Sequence, residues 1–550
     1  MAAIVISEEK YRDKVYACWL GKNIGGTLGA PVEGRKKVHE FIFYDPFPDK
    51  SAPNDDLDFQ LVWLQMVKER GPHIRVADFA DYWRKYLLAY PWNEYGFCQR
   101  NLARGLMPPI TGCFENYFVD EMGSPIRSEI WACLAPGDPQ TAAAFAWKDS
   151  VLDHAGGEGM HGEMFWSAVE SAAFVVADPL ALIRIGLKMI PLSSQVSRAV
   201  GEAAWCWQNG VSWGDARERL LAGFGHSQPC HAVQSIGFTV IGWLYGKDYG
   251  DKLCAAVNCG YDTDCSGATL GSLLGILGGT AGVPAKWRDP IGEEIVLHPL
   301  TRNLPAPKTL SELTEQTVTL GKKFLRAHSD CAEIGKMEQV PDDLISLLSR
   351  NERAVAMLER DIQAATVPAA LQGHREGGPS GSPERAGEDV EITLHYGGEP
   401  VVRPGVAKTI GVTVERREMP VEASVELACP PGWNAESVGQ AFTACRRDVG
   451  AERCSARGSS GAAPLHGLAR DNPTAGGLPY TRLGQARFAL RAGQVSDRNT
   501  IGVWAKVDGK AYRADFVMLG PDEAKGYPCR DNVPGCTKCG ARIEACMCPR

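Results

Sequence analysis

Residues 262–277 (DTDCSGATLGSLLGIL) decide the fold of this 550-residue chain. Two carboxylates, Asp262 and Asp264, stand directly before an uncharged run, residues 266–285, that contains six glycines. The length of this run is also typical of a membrane span. Its glycines and the adjoining carboxylates favour a buried helix that packs closely against its neighbours, and we predict that structure.

A second acidic cluster, residues 54–58 (NDDLD), precedes another apolar helical pattern at residues 59–67. Each cluster places carboxylates at the N-terminus of a helix, where a single acidic cap is ordinary. Two or three neighbouring carboxylates repel one another unless solvent or a cation compensates. Hard divalent cations such as Mg²⁺ and Mn²⁺ prefer oxygen ligands of this kind. The spacing alone leaves both a solvated cap and a metal site open.

Residues 1–366 are predicted to form one all-α domain. Ser7 is placed to cap a helix whose apolar face contains Tyr11, Val15 and Cys18 at helical spacing. We find no convincing strand pattern before residue 388. Further helical patterns cover residues 59–67, 77–88, 165–176, 232–244, 267–277, 311–327 and 342–365.

The remaining residues are predicted to differ in structure from the helical part. Residues 367–388 include a stretch rich in Gly, Pro and Ser, which predicts a flexible linker. Period-two alternation then predicts a smaller all-β sandwich over residues 389–520, with a hairpin turn at Asp508-Gly509. Residues 521–550 form a Cys-rich tail, for which a Zn²⁺ site and a disordered, redox-sensitive segment both stay open. Its cysteines are Cys529, Cys536, Cys539, Cys546 and Cys548.

Composition narrows the class of protein further. The chain is 44% hydrophobic and 23% charged, as in globular proteins. Its net charge of −8 argues against binding to nucleic acid mainly by charge. The N-terminal residues lack the features of a signal peptide, and the cysteines up to Cys331 are scattered singly. We therefore expect a cytoplasmic protein without membrane or nucleic-acid partners, and the oligomeric state stays open.

Three segments together resemble the ADP-ribosylglycohydrolase family, which includes the dinitrogenase-reductase-activating glycohydrolases. Residues 17–33 (ACWLGKNIGGTLGAPVE) look like the family's opening helix and Gly-Ala-Pro-x-Glu turn. Residues 54–56 (NDD) are similar to its Thr-Asp-Asp-Thr motif. Residues 260–268 (GYDTDCSGA) look like its Asp-Thr-Asp-x-x-Gly-Ala motif. The likeness extends over about residues 10–290, with the motifs in the family's order.

The resemblance implies an all-helical fold with a two-magnesium centre, in which Mn²⁺ is a possible replacement. It also implies hydrolysis of a glycosidic bond at the anomeric carbon of a ribose. Glu33 and Asp56 are the implied catalytic candidates, with Glu33 as general acid/base. The candidate metal ligands are Asn54, Asp55, Asp56, Asp262, Asp264, Cys265 and Ser266.

The metal motifs also depart from those of the family. Asn54 replaces the family's first hydroxyl ligand, and Leu57 and Cys265 replace two threonines. The amide oxygen of Asn54 remains a possible ligand. A thiol is a poor ligand for magnesium, so Ser266 or a water is the expected substitute at the second motif, unless the site is tuned to another ion.

Candidate substrate residues lie between the two acidic clusters. His154, Gly156 and Gly157 belong to residues 153–157 (DHAGG), which look like the family's substrate-pocket motif. Arg127 and Asn116 lie where the family places a substrate-contacting loop. For Arg127, binding an anionic substrate and pairing with Glu129 or Asp120 are equally open.

Three functions are compatible with these observations. The leading hypothesis is a metal-dependent glycosidase acting on an N- or O-linked ADP-ribosyl or related ribosyl bond. The second keeps the metal site but changes the substrate to a saccharide or another small glycoside, because the metal motifs are altered and a β-sandwich follows. The third is a non-catalytic binding or structural relative.

Overall fold

A computed structural model describes residues 3–90, 93–358, 372–374, 390–416, 423–438, 481–507 and 510–520. These residues belong to two compact units, which divide at residue 367. The first unit is helical and the second contains β-sheets, so the predicted order of a helical domain and a β region is confirmed. Most of the predicted linker, the tail cysteines and the Asp508-Gly509 turn lie outside the described residues.

The helical unit is built around a large buried core. Ser7 caps its first helix as predicted, because the Ser7 side chain accepts a hydrogen bond from the Lys10 amide. The helices are α1 (Glu8–Gly29), α2 (Asp55–Arg70), α3 (Val76–Tyr86), α4 (Asn93–Ala103), α5 (Ile110–Cys113), α6 (Ser128–Leu134), α7 (Pro139–Ser150), α8 (Glu158–Ala173), α9 (Pro179–Leu187), α10 (Gln195–Gln208), α11 (Trp213–Phe224), α12 (Ala232–Tyr245), α13 (Tyr249–Asn258), α14 (Thr263–Gly278), α15 (Ala285–Arg288), α16 (Leu310–His328) and α17 (Leu344–Leu347).

Glycines hold α1 and α14 in close antiparallel contact. A Cβ atom placed on Gly21 would lie 2.0 Å from the Gly271 carbonyl oxygen, and one on Gly25 would lie 1.8 Å from that of Gly267. A Cβ on Gly275 would lie 2.0 Å from the Ala17 oxygen. Contacts therefore recur every four residues along both helices, and only glycine allows the backbones to approach so closely. The predicted close packing of the glycine-rich helix is confirmed.

Two short strands in the helical unit were not expected. Strand β1 (Ile4–Ser7) pairs in parallel with β2 (Ala332–Gly335). Each has four residues, which is too short for a period-two pattern to stand out. The helix expected over residues 342–365 is also interrupted: α17 ends at Leu347, and helical structure resumes at residue 352 and is described to residue 358.

The second unit contains two antiparallel sheets. One has the strand order β10-β9-β6, and the other has the order β3-β4-β5-β8-β7. Strand β3 lies inside the segment expected to be a linker. The sandwich arrangement stays a prediction. The strands are β3 (Gln372–His374), β4 (Val390–His395), β5 (Ala407–Arg416), β6 (Ala423–Ala428), β7 (Trp433–Ser437), β8 (Thr481–Ala492), β9 (Arg498–Val507) and β10 (Lys510–Leu519).

The apolar, glycine-rich helix α14 is largely buried and contributes to the core of the helical unit. In the part of the chain that the structure describes, no helix combines the length and hydropathy needed to cross a membrane.

Candidate functional site

The two acidic motifs and Glu33 come together where three helices begin or end. Glu33 follows the short 3₁₀ turn Ala30–Val32 at the end of α1. Asp55 and Asp56 lie in the first turn of α2, and Asp264 lies in the first turn of α14. The antiparallel packing of α1 against α14 brings the end of one helix to the start of the other. The structure therefore gathers carboxylates that lie more than 200 residues apart in sequence.

These carboxylates do not serve as ordinary helix caps. Asn54 caps α2, because its Oδ1 accepts a hydrogen bond of 2.8 Å from the Asp56 amide. Asp262 occupies the N-cap position of α14, yet its side chain makes no capping hydrogen bond. Asp56 and Asp262 are completely buried. The arrangement therefore disfavours the solvated cap that the spacing had left open.

Potential ligand atoms form two groups. One group contains Asp56, Asp264 and Cys265, and the other contains Glu33, Cys230 and Asp262. Within each group, one ligand atom per residue lies within 4.8 Å of the others. Cys230 was missed in the sequence, because it follows no acidic motif and lies in the loop before α12. Only the three-dimensional fold places its sulfur beside Asp262.

The carboxylates raise the pKa values of one another. Burial and the neighbouring Asp264 raise the pKa of Asp262 well above its usual range. Burial, Glu33 and Asp56 do the same for the pKa of Asp264. Glu33 is partly open to solvent, but desolvation by the surrounding protein and repulsion from Asp262 and Asp55 raise its pKa to about 8. The protein therefore concentrates negative charge that needs a proton or a cation to balance it.

The donor set fits a divalent cation. Both carboxylate oxygens of Asp262 and Oδ1 of Asp264 are buried, and among the described residues none donates a hydrogen bond to them. The ammonium of Lys22 lies 3.5 Å from Asp56 Oδ1 but donates its shorter hydrogen bond, of 2.8 Å, to Glu129. Buried carboxylate oxygens without donors are costly unless an ion compensates. The oxygens suit Mg²⁺, whereas the two sulfurs do not.

Two residues of the acidic motifs have contacts directed away from these ligand groups. Asp58 accepts a hydrogen bond of 2.8 Å from the His298 amide, which ties it to the segment after α15. Ser266 is buried, and its hydroxyl lies 3.5 Å from the Ser235 carbonyl oxygen on α12. The role of Ser266 as a ligand therefore stays a prediction.

The DHAGG segment forms a tight turn between α7 and α8. His154 is buried, and its Nδ1 lies 3.0 Å from Asp153 Oδ1. Gly156 has a φ of 80°, which disfavours other residues. A Cβ on Gly157 would lie 2.1 Å from the Val119 carbonyl oxygen. The turn is thus built around its glycines, and the substrate-binding roles of these residues stay predictions.

Arg127 is fully buried and its charge is already paired. Its guanidinium makes two hydrogen bonds of 2.8 Å to the Asp153 carboxylate and lies 2.9 Å from Asp149. Burial alone would raise the pKa of Asp153, but Arg127 and His154 hold it at about 2. The contacts favour the structural alternative, although the partners are not the expected Glu129 or Asp120.

Asn116 has a similar structural environment. Its Nδ2 donates hydrogen bonds to the Gly112 carbonyl at 3.0 Å and to the Asp153 carbonyl at 2.6 Å. Its Oδ1 accepts one of 3.0 Å from the Phe118 amide. These bonds join the loop after α5 to the His154 turn, so the side chain supports the turn's shape.

The fold and site define a helical protein with a buried carboxylate centre suited to a cation. A family model for ADP-ribosylglycohydrolases matches residues 7–328. The chain belongs to the ADP-ribosylglycohydrolase family. This membership supports a glycohydrolase-type function, and members of the family generally bind divalent metals.

Individual relatives are distant. A protein of Archaeoglobus fulgidus, described only as uncharacterized, is 22% identical over 309 residues, covering 54% of this chain and 96% of the relative. A solved structure described as an ADP-ribosylglycohydrolase-related protein complex has 19% identity and a TM-score of 0.39. That match covers 58% of this chain and 99% of the other.

Proposed function

We propose that this protein is a metal-dependent glycosidase that hydrolyses an N- or O-linked ADP-ribosyl or related ribosyl bond. The observation that carries the proposal is the meeting of Glu33, Asp55, Asp56, Asp262 and Asp264 at the ends of α1, α2 and α14. A dinuclear divalent-cation centre there would orient the ribose hydroxyls and lower the pKa of an attacking water. We place the enzyme in the cytoplasm.

Glu33 has the position required of a general acid/base. It is more exposed to solvent than the other carboxylates of the acidic centre, of which Asp56 and Asp262 are completely buried. An exposed carboxyl group beside the centre can exchange its proton with both solvent and a bound substrate. Asp56 and Asp264 serve as metal ligands. The buried ammonium of Lys22, 3.5 Å from Asp56 Oδ1, forms an ion pair with Asp56.

A basic segment beside the centre supports an anionic substrate. Arg35, Lys36 and Lys37 are exposed and begin two residues after Glu33. The backbone fixes this segment, because the Tyr261 amide donates a hydrogen bond of 2.8 Å to the Arg35 carbonyl. The backbone of the basic segment therefore lies next to Tyr261, the residue before Asp262. A diphosphate linked to the ribose suits these charges better than a neutral saccharide does.

Calorimetry of ADP-ribose binding with Mg²⁺ present tests the proposal, together with release of ADP-ribose from N- and O-linked substrates. Asp262→Asn and Asp178→Asn are matched variants, because both positions are helix N-caps and only Asp178 uses its side chain as a cap. We expect Asp262→Asn to abolish binding and hydrolysis and Asp178→Asn to retain both.

Other outcomes would redirect or reject the proposal. Full activity of Asp262→Asn would reject the metal mechanism. Retained metal without ADP-ribose binding, followed by hydrolysis of a saccharide, would favour the second hypothesis. A protein that retains no divalent cation at saturating concentration would favour the non-catalytic relative.

A further inference from the structure

Each of the two ligand groups contains one cysteine. Cys265, at the start of α14, lies with Asp56 and Asp264, and Cys230, in the loop before α12, lies with Glu33 and Asp262. Both thiols are half-buried and free. Two separate elements, the loop before α12 and the start of α14, therefore each place a sulfur atom at the same carboxylate centre.

The separation of two potential ligands in the first group matches that in a tetrahedral site. Cys265 Sγ lies 3.7 Å from Asp56 Oδ2. Zn–S and Zn–O bonds of about 2.3 and 2.1 Å at a tetrahedral angle give a sulfur–oxygen separation of about 3.6 Å. Asp56 and Cys265 are therefore already spaced as two ligands of one ion, before any rearrangement.

Unsatisfied oxygens point to a ligand at the same place. Asp262 is completely buried with neither carboxylate oxygen hydrogen-bonded by the described residues, and Asp264 is 8% exposed with Oδ1 in the same condition. Thiolates select thiophilic ions such as Zn²⁺, whereas Mg²⁺ selects oxygen and water. Bound to such an ion, a cysteine is present as the thiolate.

We propose that this centre is a mixed carboxylate–thiolate site that prefers Zn²⁺ to Mg²⁺, with Cys265 and Cys230 each supplying a ligand to one of two ions. The inference deepens the proposed function and rests on it for the use of the site in catalysis. It assigns Cys230 a role that no motif indicates, and it makes Cys265 a determinant of metal choice.

Cobalt spectroscopy tests the thiolate ligands directly. Co²⁺ substitutes for Zn²⁺, and a thiolate ligand produces a sulfur-to-cobalt charge-transfer band. The tail cysteines would contribute the same band, so the full-length chain is studied with all five replaced: Cys529→Ser, Cys536→Ser, Cys539→Ser, Cys546→Ser and Cys548→Ser. We expect the band to persist, to weaken in Cys265→Ser and in Cys230→Ser, and to vanish when both are replaced.

Cys113→Ser is the matched control, because this cysteine is also half-buried in the helical unit but belongs to neither ligand group. It should leave the band unchanged. Cys265→Ser should lower the affinity for Zn²⁺ by at least about tenfold. Its affinity for Mg²⁺ should not fall, because serine retains an oxygen. A folding defect would lower both affinities, so their ratio separates the two explanations.

The inference is overturned if the tail-substituted protein binds Co²⁺ without the band, or if the double variant retains it. Failure of the proposed function looks different. If no ribosyl substrate is hydrolysed but the band follows Cys230 and Cys265, the metal site stands without that activity. Hydrolysis with Mg²⁺ and no band would leave the activity standing and remove the thiolate site.

Discussion

Replacement of Gly25 by alanine tests the link between helix packing and the candidate site. The added Cβ would lie 1.8 Å from the Gly267 carbonyl oxygen and 2.2 Å from its carbonyl carbon. Cβ contacts below 3.0 Å essentially do not occur, so this separation has to grow by at least 1.2 Å. The obstacle is backbone, which cannot rotate away as a side chain could, and the two helices must move apart.

The expected sign follows from two opposing terms. Alanine in place of glycine stabilises an exposed helix interior by about 1 kcal/mol. Overpacking a tight contact costs about 1–3 kcal/mol, and sometimes more. The obstacle at Gly25 is backbone, and the close approach of α1 and α14 continues at Gly21 and Gly275, which hinders a local adjustment. We therefore expect overpacking to prevail. Gly25→Ala should therefore lower the free energy of unfolding of the helical unit.

Gly201 provides the control, because it lies in the middle of α10 and is exposed, and a Cβ added there would meet no atom within 4 Å. Gly201→Ala should stabilise by about 0.5–1 kcal/mol. Urea unfolding followed by circular dichroism should thus shift in opposite directions for the two variants. Gly25→Ala should also weaken metal binding, since moving α1 away from α14 disturbs the start of α14, which carries Asp262 and Asp264. A Gly25→Ala protein as stable as the wild type would refute the packing argument.

Three further predictions concern other parts of the helical unit. Asp153→Asn should lower the free energy of unfolding by about 1.5–3 kcal/mol in urea titrations, because it removes one of the two carboxylates that pair with the buried Arg127 and leaves Asp149. Burial lowers the pKa of His328 to about 3, whereas in the unfolded chain it is about 6.5. The unfolded state therefore binds the extra proton first, and the free energy of unfolding should fall as the pH drops below about 6.5. His328→Gln should make the urea midpoint less dependent on pH in this range. Gly157→Ala should distort the turn that carries His154, because the added Cβ would lie 2.1 Å from the Val119 carbonyl oxygen. If this turn binds substrate, calorimetry should show weaker ADP-ribose binding.

Local sequence patterns predicted the main helices and placed the acidic clusters at helix starts, whereas the joining of these clusters with Glu33 in one centre was implied only by the resemblance to the family. Asp55, Asp56, Asp262 and Asp264 stand beside helix starts that hydrophobic periodicity makes visible. The sequence of α14 also indicates close helix packing, because glycines recur at four-residue intervals on the face toward α1. Such information lies within one short segment, and no knowledge of distant contacts is needed to use it.

Residues whose role depends on distant partners could not be predicted in this way. Arg127 looks the same in sequence whether it binds a substrate or an internal carboxylate, and only the fold places Asp153 and Asp149 against it. Lys22 lies on a buried helix face, where sequence gives no sign of its bonds to Glu129 and Asp56. Cys230 likewise acquires its neighbours only when α12 packs beside α14.

The chain's own helix caps provide an internal comparison for the site. Asp138, Asp178 and Asp248 are N-caps of α7, α9 and α13, and each side chain accepts a hydrogen bond from a backbone amide of its helix. Asp262 occupies the same position on α14 and makes no such bond, although it is fully buried. Asp262 thus lacks a capping hydrogen bond that is worth about 1 kcal/mol. Such departures from local stabilising patterns are expected at functional sites. The departure is explained if Asp262 is retained to bind a cation, because α14 would be more stable with an ordinary cap.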